Sequence, residues 1–353
     1  MRRLDRYIAR RIWFTVLLVL LVVVGIDALT AFIDEAEDRS STYDFALISR
    51  YVMLSLPGRC YEYLPFAALI GSLIGLGQLA STSELVVMRA AGVSNARLAA
   101  VTLTNALVIA LLGFALGEYA APQAEQAARS LRAVALYADR DARSDEGGIW
   151  KRDGNTFLHV RALRGDGRLY GVSAWEFDDA GRLLRSLFAD GAVHVDGGWS
   201  LRDVRMTRLE DEQLYPDAQV TMLLPSNVTP RVLALENVSP GALALGDLRG
   251  YTVFLRSQGQ DTADFELALW RKLLQPLTVA GLVLVAISFV FGPLRDGTLG
   301  FRIFAGVMVG VLFRLSQDLL GPASLVFGFP PIYAAALPIV LCAVVGVLLL
   351  RRA

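Results

Sequence analysis

Apolar positions along this chain cluster into long unbroken runs rather than alternating. Ile12 to Phe32, Leu64 to Ala80 and Leu98 to Tyr119 each approach the ~20 residues that a helix needs to cross a bilayer. A mostly polar stretch follows, and the pattern returns at Leu273 to Phe291, Phe301 to Leu320 and Ile332 to Leu350. Inside the polar stretch the punctuation changes. Segments Asn155 to Val160, Leu169 to Phe177, Leu183 to Ala189, Trp199 to Leu209 and Gln219 to Leu224 are separated by Asp153-Gly154, Asp166-Gly167, Asp178-Asp179-Ala180-Gly181 and Asp196-Gly197-Gly198. Asp-Gly and Gly-Gly supply the positive φ of tight hairpin turns, so successive hairpins are predicted, forming a sandwich, jelly roll or open barrel. Alternation within the strands is imperfect, which leaves the inward-facing set open. The segments Ser130 to Asp145 and Ser239 to Asp264 read as helical or linker-like. The expected fold is an α+β membrane protein: six transmembrane helices, three before and three after an inserted β-jellyroll-like domain. The expected domains are residues 1–129, 130–264 and 265–353.

Composition places the charge. Hydrophobic residues make up 54% of the chain, too many for a soluble domain of 353 residues, while 19% charged residues are too many for a chain buried in lipid. The charge therefore lies in the insert and loops. A formal net charge of zero gives no basic field for nucleic acid. Cys60 and Cys342 fall in or beside apolar runs and suggest no disulfide framework. The first run is followed by Asp34, Glu35, Glu37 and Asp38 rather than a small-residue cleavage site, so it reads as a retained helix. Arginines mark one side of the membrane: Arg2, Arg3, Arg6, Arg10 and Arg11, then Arg89 and Arg97, then Arg295 and Arg302, then Arg351 and Arg352. By the positive-inside tendency both termini are cytoplasmic and the insert faces outward.

Catalytic chemistry finds little support. A P-loop needs a Gly-Lys-Ser/Thr ending, yet the two lysines, Lys151 and Lys272, are not preceded by glycine. His159 and His194 stand singly on separate expected strands, and there is no Gly-x-Ser-x-Gly elbow. The loop from Ser81 to Arg97 is more informative. Glu84, Leu85, Val86 and Met88 begin an amphipathic turn with Ser81, Thr82 or Ser83 as N-cap and Gly92 as its stop, which predicts a short helix along the membrane surface.

Four collinear stretches carry a resemblance: Ser83-Glu84-Leu85-Val86-Val87-Met88-Arg89-Ala90-Ala91-Gly92; Gly117-Glu118-Tyr119 with Ala121-Pro122-Gln123-Ala124-Glu125-Gln126; Gly148-Ile149-Trp150-Lys151-Arg152-Asp153-Gly154; and Ser288-Phe289-Val290-Phe291-Gly292-Pro293-Leu294-Arg295. Together with Leu4-Asp5-Arg6-Tyr7-Ile8 they resemble the LptF/LptG-type permease family of lipopolysaccharide export, in order and over nearly the whole chain. The Trp150 to Gly154 and Phe291 to Arg295 stretches favour its LptG branch over the paralogous LptF branch. The resemblance implies a subunit of the bacterial inner membrane that pairs with an LptF-type permease and recruits an LptB-type ATPase dimer. It also implies passage of lipopolysaccharide through a periplasmic jelly roll toward an LptC-type bitopic protein. ATP and Mg would be bound by the partner ATPase, with no cofactor in this chain. Residues 81–97 would hold the coupling helix, with Glu84, Leu85, Met88 and Arg89 meeting the ATPase and Glu84 as polar anchor. From the residues alone, Glu84 equally suits the N-terminal helix dipole.

Charged groups at membrane depth are costly and so draw attention. Asp27 lies in the outer part of the first span, Arg59 and Glu62 in the approach to the second, Glu118 at the outer end of the third, and Arg314 with Asp318 in the fifth. Arg314 and Asp318 are four apart and share a helix face, which suits either a lateral gate and lipid contact or plain charge compensation. The family resemblance makes the first and fifth spans cavity walls. The acidic stretch Asp34 to Asp38 leaves lipid A phosphates to Arg39, Arg50, Arg59, a divalent cation or the partner permease. In the insert, Trp150, Leu158, Val160, Val172, Trp175 and Phe177 are expected to line a lipid path or to form the core of a closed sandwich. Two other classes are weaker. ABC permeases for lipoprotein release or efflux usually place their domain after the first of four helices, and a lipid-modifying enzyme would need a clustered acid, base or metal set.

Overall fold

A computed structural model describes residues 2–37, 43–138, 148–164, 166–210, 213–226, 228–230, 233, 239–257, 261–292 and 298–351. Asp38, Arg39, Asp139 to Asp145, Pro293 to Arg295 and Arg352 lie outside the described residues. The order is α1 (Arg2–Glu37), α2 (Phe45–Ser81), α3 (Glu84–Ala90), α4 (Asn95–Ala115), a π-helical turn (Leu116–Ala120) and α5 (Ala121–Ala138). Strands β1 (Ile149–Asp153), β2 (Thr156–Leu163), β3 (Leu169–Phe177), β4 (Leu183–Val195), β5 (Gly198–Glu210) and β6 (Gln213–Pro225) follow, then α6 (Leu245–Ser257), α7 (Ala263–Phe291), α8 (Leu299–Phe327) and α9 (Pro331–Arg351). Among the described residues six helices are long and apolar enough to cross a membrane, as expected.

The chain forms two compact units. The first comprises Met1–Leu29, Leu56–Pro122 and Pro240–Ala353. Residues 240–257, read with the insert from sequence, belong to this helical unit, where α6 packs against α7. Helix α7 is central, meeting α4, α8 and α9, and 61% of its apolar window is buried. For α1 and α8 that share is only 17%, so these two present most of their apolar surface outward. Helix α2 starts well before the hydropathy onset at Leu64 and continues through Pro57 and Pro65. Arg59 and Glu62 depress the local hydropathy without ending the helix, so both sit inside α2 rather than in an approach to it. Helices α1 and α2 approach closely where α2 has no side chain: a Cβ on Gly71 would lie 2.5 Å from the Val16 Cα.

The second unit comprises Thr30–Ser55 and Gln123–Ser239. Its six strands pair antiparallel in sequential order, so the jelly-roll-like expectation resolves into a meander. Strand β1, not anticipated as a strand, pairs Lys151 with Leu158 at the edge. The burial pattern explains the imperfect alternation. Val172, Ala189 and Val204 are buried opposite one another, yet so are Leu169, Ala192 and Leu201, three residues away on the same strands. Odd spacing should put them on opposite faces. Between them Gly171 (φ 62°) and Asp203 (φ 56°) are left-handed, while the register on either side is unchanged. These left-handed residues turn their strands locally, and the buried side changes parity across them. Trp199, 1% exposed, anchors that core and donates its indole N–H to the Val228 carbonyl at 2.9 Å.

Candidate functional site

Helix α3 is short, and its two faces differ. Leu85 and Met88 turn into the chain's own core beside Ile8, Ile12 and Leu98, while Val86 and Val87 are exposed at 58% and 67% with Arg89 beside them. Of the anticipated coupling residues, Leu85 and Met88 thus fasten the helix to its own chain, and the outward apolar pair is Val86 and Val87. Of the anticipated N-cap residues Ser81, Thr82 and Ser83, it is Ser83 that occupies the position, at φ 61° and without a side-chain bond, and Gly92 (φ 87°) follows the C-terminus. The Glu84 carboxylate is held instead from two sides, accepting the Tyr7 hydroxyl at 2.8 Å and the Thr82 hydroxyl at 3.0 Å. Ser94 then caps α4 by accepting the Arg97 N–H.

At membrane depth the charged residues pair across helices. Arg59 of α2 bonds Asp27 of α1, whose other oxygen accepts the Tyr63 hydroxyl at 2.8 Å. Arg314 of α8 reaches Asp318 at 3.0 Å, as the spacing suggested, and also Glu62 of α2 at 2.8 Å. The anticipated gate residues therefore form two adjoining groups: Asp27 with Arg59, and Glu62 with Arg314 and Asp318. Residues 27, 59 and 62 are far apart in sequence terms from 314, so hydropathy carries no sign of this grouping.

Sequence reasoning passed over two buried charges. Lys272 of α7, 4% exposed, lies 3.3 Å from Glu118 on the π-helical turn and donates to the Gly117 and Leu243 carbonyls at 2.7 Å each. Glu118 in turn accepts the Leu245 N–H at the start of α6. A lysine inside an apolar run was the available signal, since such a charge persists only when paired. Arg302, buried at 3%, likewise donates to the Gly77 carbonyl at 3.0 Å.

Within the second unit the acidic segment after the first span is partly neutralised. Glu35 takes a two-pronged contact from Arg132 at 2.8 and 3.0 Å and accepts the Tyr43 hydroxyl at 2.9 Å. Burial, then the bond to Glu35, raises the Tyr43 pKa above its ordinary value of 10.0 and keeps the phenol neutral. Arg50, one of the groups considered for phosphate contact, is exposed.

The six anticipated lipid-path residues divide between two faces of the sheet. Leu158, Val160 and Val172 belong to the buried core. Trp150, Trp175 and Phe177 point the other way: Trp150 and Trp175 stack at 5.3 Å, and Phe177 meets Phe157 edge-on at 5.5 Å. Arg152 lies over Phe157 at 5.3 Å and Arg205 over Phe188 at 4.9 Å, giving this face an aromatic–guanidinium strip. His159, also on it, is 7% exposed and covered by Trp150 at 4.5 Å. Among the described residues no three His, Cys, Asp or Glu side chains group as a metal site.

Residues 6–352 match the family model described as lipopolysaccharide export system permease LptF/LptG. The chain is 37% identical over 339 residues to the lipopolysaccharide export system permease protein LptG of Escherichia coli (strain K12), covering 95% of this chain and 94% of that protein. It is 35% identical over 352 residues to LptG of Haemophilus influenzae (strain ATCC 51907 / DSM 11121 / KW20 / Rd), covering 99% and 98%. Both names fall in the branch that the motifs favour, and the chain belongs to the LptF/LptG family of lipopolysaccharide export permeases.

Proposed function

We propose that this chain is an LptG-type permease subunit that extracts lipopolysaccharide from the inner membrane and passes it toward a periplasmic bridge, beside an LptF-type permease and an LptC-type bitopic protein. Hydrolysis is supplied by an LptB-type ATPase dimer that docks on α3 and holds ATP and Mg. Both termini face the cytoplasm and the β unit faces the periplasm, a reading supported by the arginine asymmetry of the short loops. Of the domains read from sequence, residues 1–129 and 265–353 serve the membrane part, joined there by residues 240–257, and the rest of 130–264 serves as the insert and its connecting segments.

The single observation that carries the energy coupling is the two-faced α3. Its inner face is built into the core of the helical unit, and its outer face leaves Val86 and Val87 open beside Arg89. A helix secured on one side and apolar on the other transmits force from a partner groove better than a free loop does. Replacing Val86 and Val87 by Asp should leave the chain membrane-inserted and able to co-purify with its partner permease, while the ATPase subunit is lost. Retention of the ATPase in that variant would refute docking on α3.

For lipid handling, the reading favours the outward surfaces of α1 and α8, with Asp27, Arg59, Glu62, Arg314 and Asp318 as the polar groups that meet a phosphorylated lipid or the partner helix. In the β unit it favours the aromatic strip of Trp150, Trp175 and Phe177 over the packed set of Leu158, Val160 and Val172, because only the former has surface left for an acyl chain.

A further inference from the structure

The first helix and the coupling segment are tied together at two points, neither of which the docking face needs. Tyr7 donates its hydroxyl to Glu84 Oε2 at 2.8 Å, and the other carboxylate oxygen accepts from Thr82. On the far side of α3, Arg97 at the start of α4 reaches Asp5 at 3.3 Å. Tyr7 and Asp5 lie in the opening turns of α1, and Ile8 and Ile12 just beyond them are buried at 1% and 0% in the cluster that also holds Leu85, Met88 and Leu98. The base of α1 is therefore gripped from both ends of α3. Its shaft packs on α2 on one side, with Val16 against Gly71 and Asp27 bonded to Arg59 and Tyr63, and is open on the other, where Phe14, Leu17, Leu21, Ile26 and Leu29 are all more than half exposed. A helix gripped at its base by both ends of a neighbour is carried along when that neighbour is displaced.

We infer that Tyr7 is a positioning residue that carries displacement of α3 into α1, and thereby links ATP hydrolysis on the partner to movement of a cavity wall. This rests on the reading of α3 as the ATPase dock. The Glu84 carboxylate serves the relay from within the chain: it is fixed by Tyr7 and Thr82 at a helix start that Ser83, at φ 61°, leaves without a side-chain cap. Loss of the Tyr7 hydroxyl removes the bond and keeps the ring, so the fold is left alone.

The test uses the assembled permease–ATPase complex in lipid nanodiscs, reading three quantities: ATPase subunit retained, ATP hydrolysed, and lipopolysaccharide delivered to an acceptor per ATP. Tyr7→Phe should retain the ATPase and its turnover while delivery per ATP falls about three- to tenfold, within the range expected from one ordinary net hydrogen bond at an exposed site. Glu84→Gln, whose amide oxygen still accepts from Tyr7, should keep most of the delivery. Combining Tyr7→Phe with Glu84→Gln should lose no more delivery per ATP than Tyr7→Phe alone. Unchanged delivery per ATP in Tyr7→Phe would overturn the relay, as would loss of the ATPase subunit in that variant, which would make Tyr7 part of the dock. Retention of the ATPase by the Val86 and Val87 aspartates would instead remove the docking reading, a failure distinct from either outcome for Tyr7.

Discussion

Lys272 and Glu118, on opposite sides of the insert in sequence, meet at 3.3 Å with the lysine almost fully enclosed. The ammonium also takes the Gly117 carbonyl, which a π-helical turn frees from the regular ladder, and the Leu243 carbonyl. Gly117 and Glu118 precede the insert and Leu243 to Leu245 follow it, so α7 secures both of its flanking segments at one point. Removing one member of a buried pair leaves the other charge uncompensated, at a cost of about 3–5 kcal/mol. Lys272→Met should accordingly lower the unfolding temperature of the purified protein by several degrees, and adding Glu118→Gln should restore part of the loss. A double variant no better than Lys272→Met alone would show that the carbonyl bonds, and not the ion pair, hold this junction.

Gly71 offers a second, purely steric check. Any side chain there meets Val16 backbone at 2.5 Å, a contact that α1 relieves only by moving away from α2. Overpacking of this kind costs about 1–3 kcal/mol. Gly71→Ala should destabilise the helical unit by that amount, whereas Gly25→Ala, with nothing within 4 Å, should not. Equal unfolding temperatures for the two variants would contradict the close α1–α2 approach.

Much of the architecture is written in local patterns, because a bilayer-length apolar run or an Asp-Gly turn is a short-range signal. All six spans and five of the six strands are legible in this way. Strand β1 is not, since Ile149 to Asp153 is short and carries Lys151, Arg152 and Asp153. The inward set of the sheet is illegible for a different reason: the buried parity changes mid-strand near the left-handed Gly171 and Asp203, which periodicity alone does not reveal. The site shows the same division. Arg314 and Asp318, four apart, could be paired from helical spacing, but the Glu62 contact joins residues 252 positions apart and Tyr7 meets Glu84 across 77. Long-range partners of charged groups leave no mark on periodicity.

The β3–β4 turn should respond to acid. Asp178 accepts the backbone N–H groups of Arg182 at 2.8 Å and Ala180 at 2.9 Å and the Arg182 side chain at 2.8 Å. The Arg182 backbone bond, followed by the Arg182 side-chain bond, lowers the Asp178 pKa below its ordinary value of 3.8. A carboxyl with a depressed folded pKa contributes stability that is fully present above its unfolded pKa, about 4, and is lost as pH falls through the folded value. The exchange protection of the Ala180 and Arg182 amides, taken relative to the unstructured rate at the same pH, should therefore hold at neutral pH and fall only below about pH 4. Asp178→Asn should flatten that acid response. Protection that is equal at pH 7 and pH 3 in the parent protein would show that the turn does not depend on the carboxylate.

The two faces of the β unit make opposite demands on a lipid. Leu158, Val160 and Val172 are at most 4% exposed and pack with Leu187, Ala189 and Val204, so an acyl chain would have to displace a closed core. Each methylene buried there gains about 0.8 kcal/mol, but the displaced side chains forfeit the same contacts. On the other face Trp150 is 58% exposed and stacked on Trp175, with Phe157 and Phe177 beyond and the guanidinium of Arg152 alongside. Aromatic rings flanked by cations suit an amphiphile that carries both acyl chains and phosphates. A photo-crosslinking residue at Trp150 or Trp175 should thus give a lipopolysaccharide adduct that depends on ATP in the assembled complex, while one at Val160 or Val172 should give none or should unfold the unit. Adducts at Val172 with a folded β unit would place the path inside the sheet. Absence of adducts at all four positions, with adducts retained at Arg314, would make this β unit a docking platform and leave the lipid to the partner subunit.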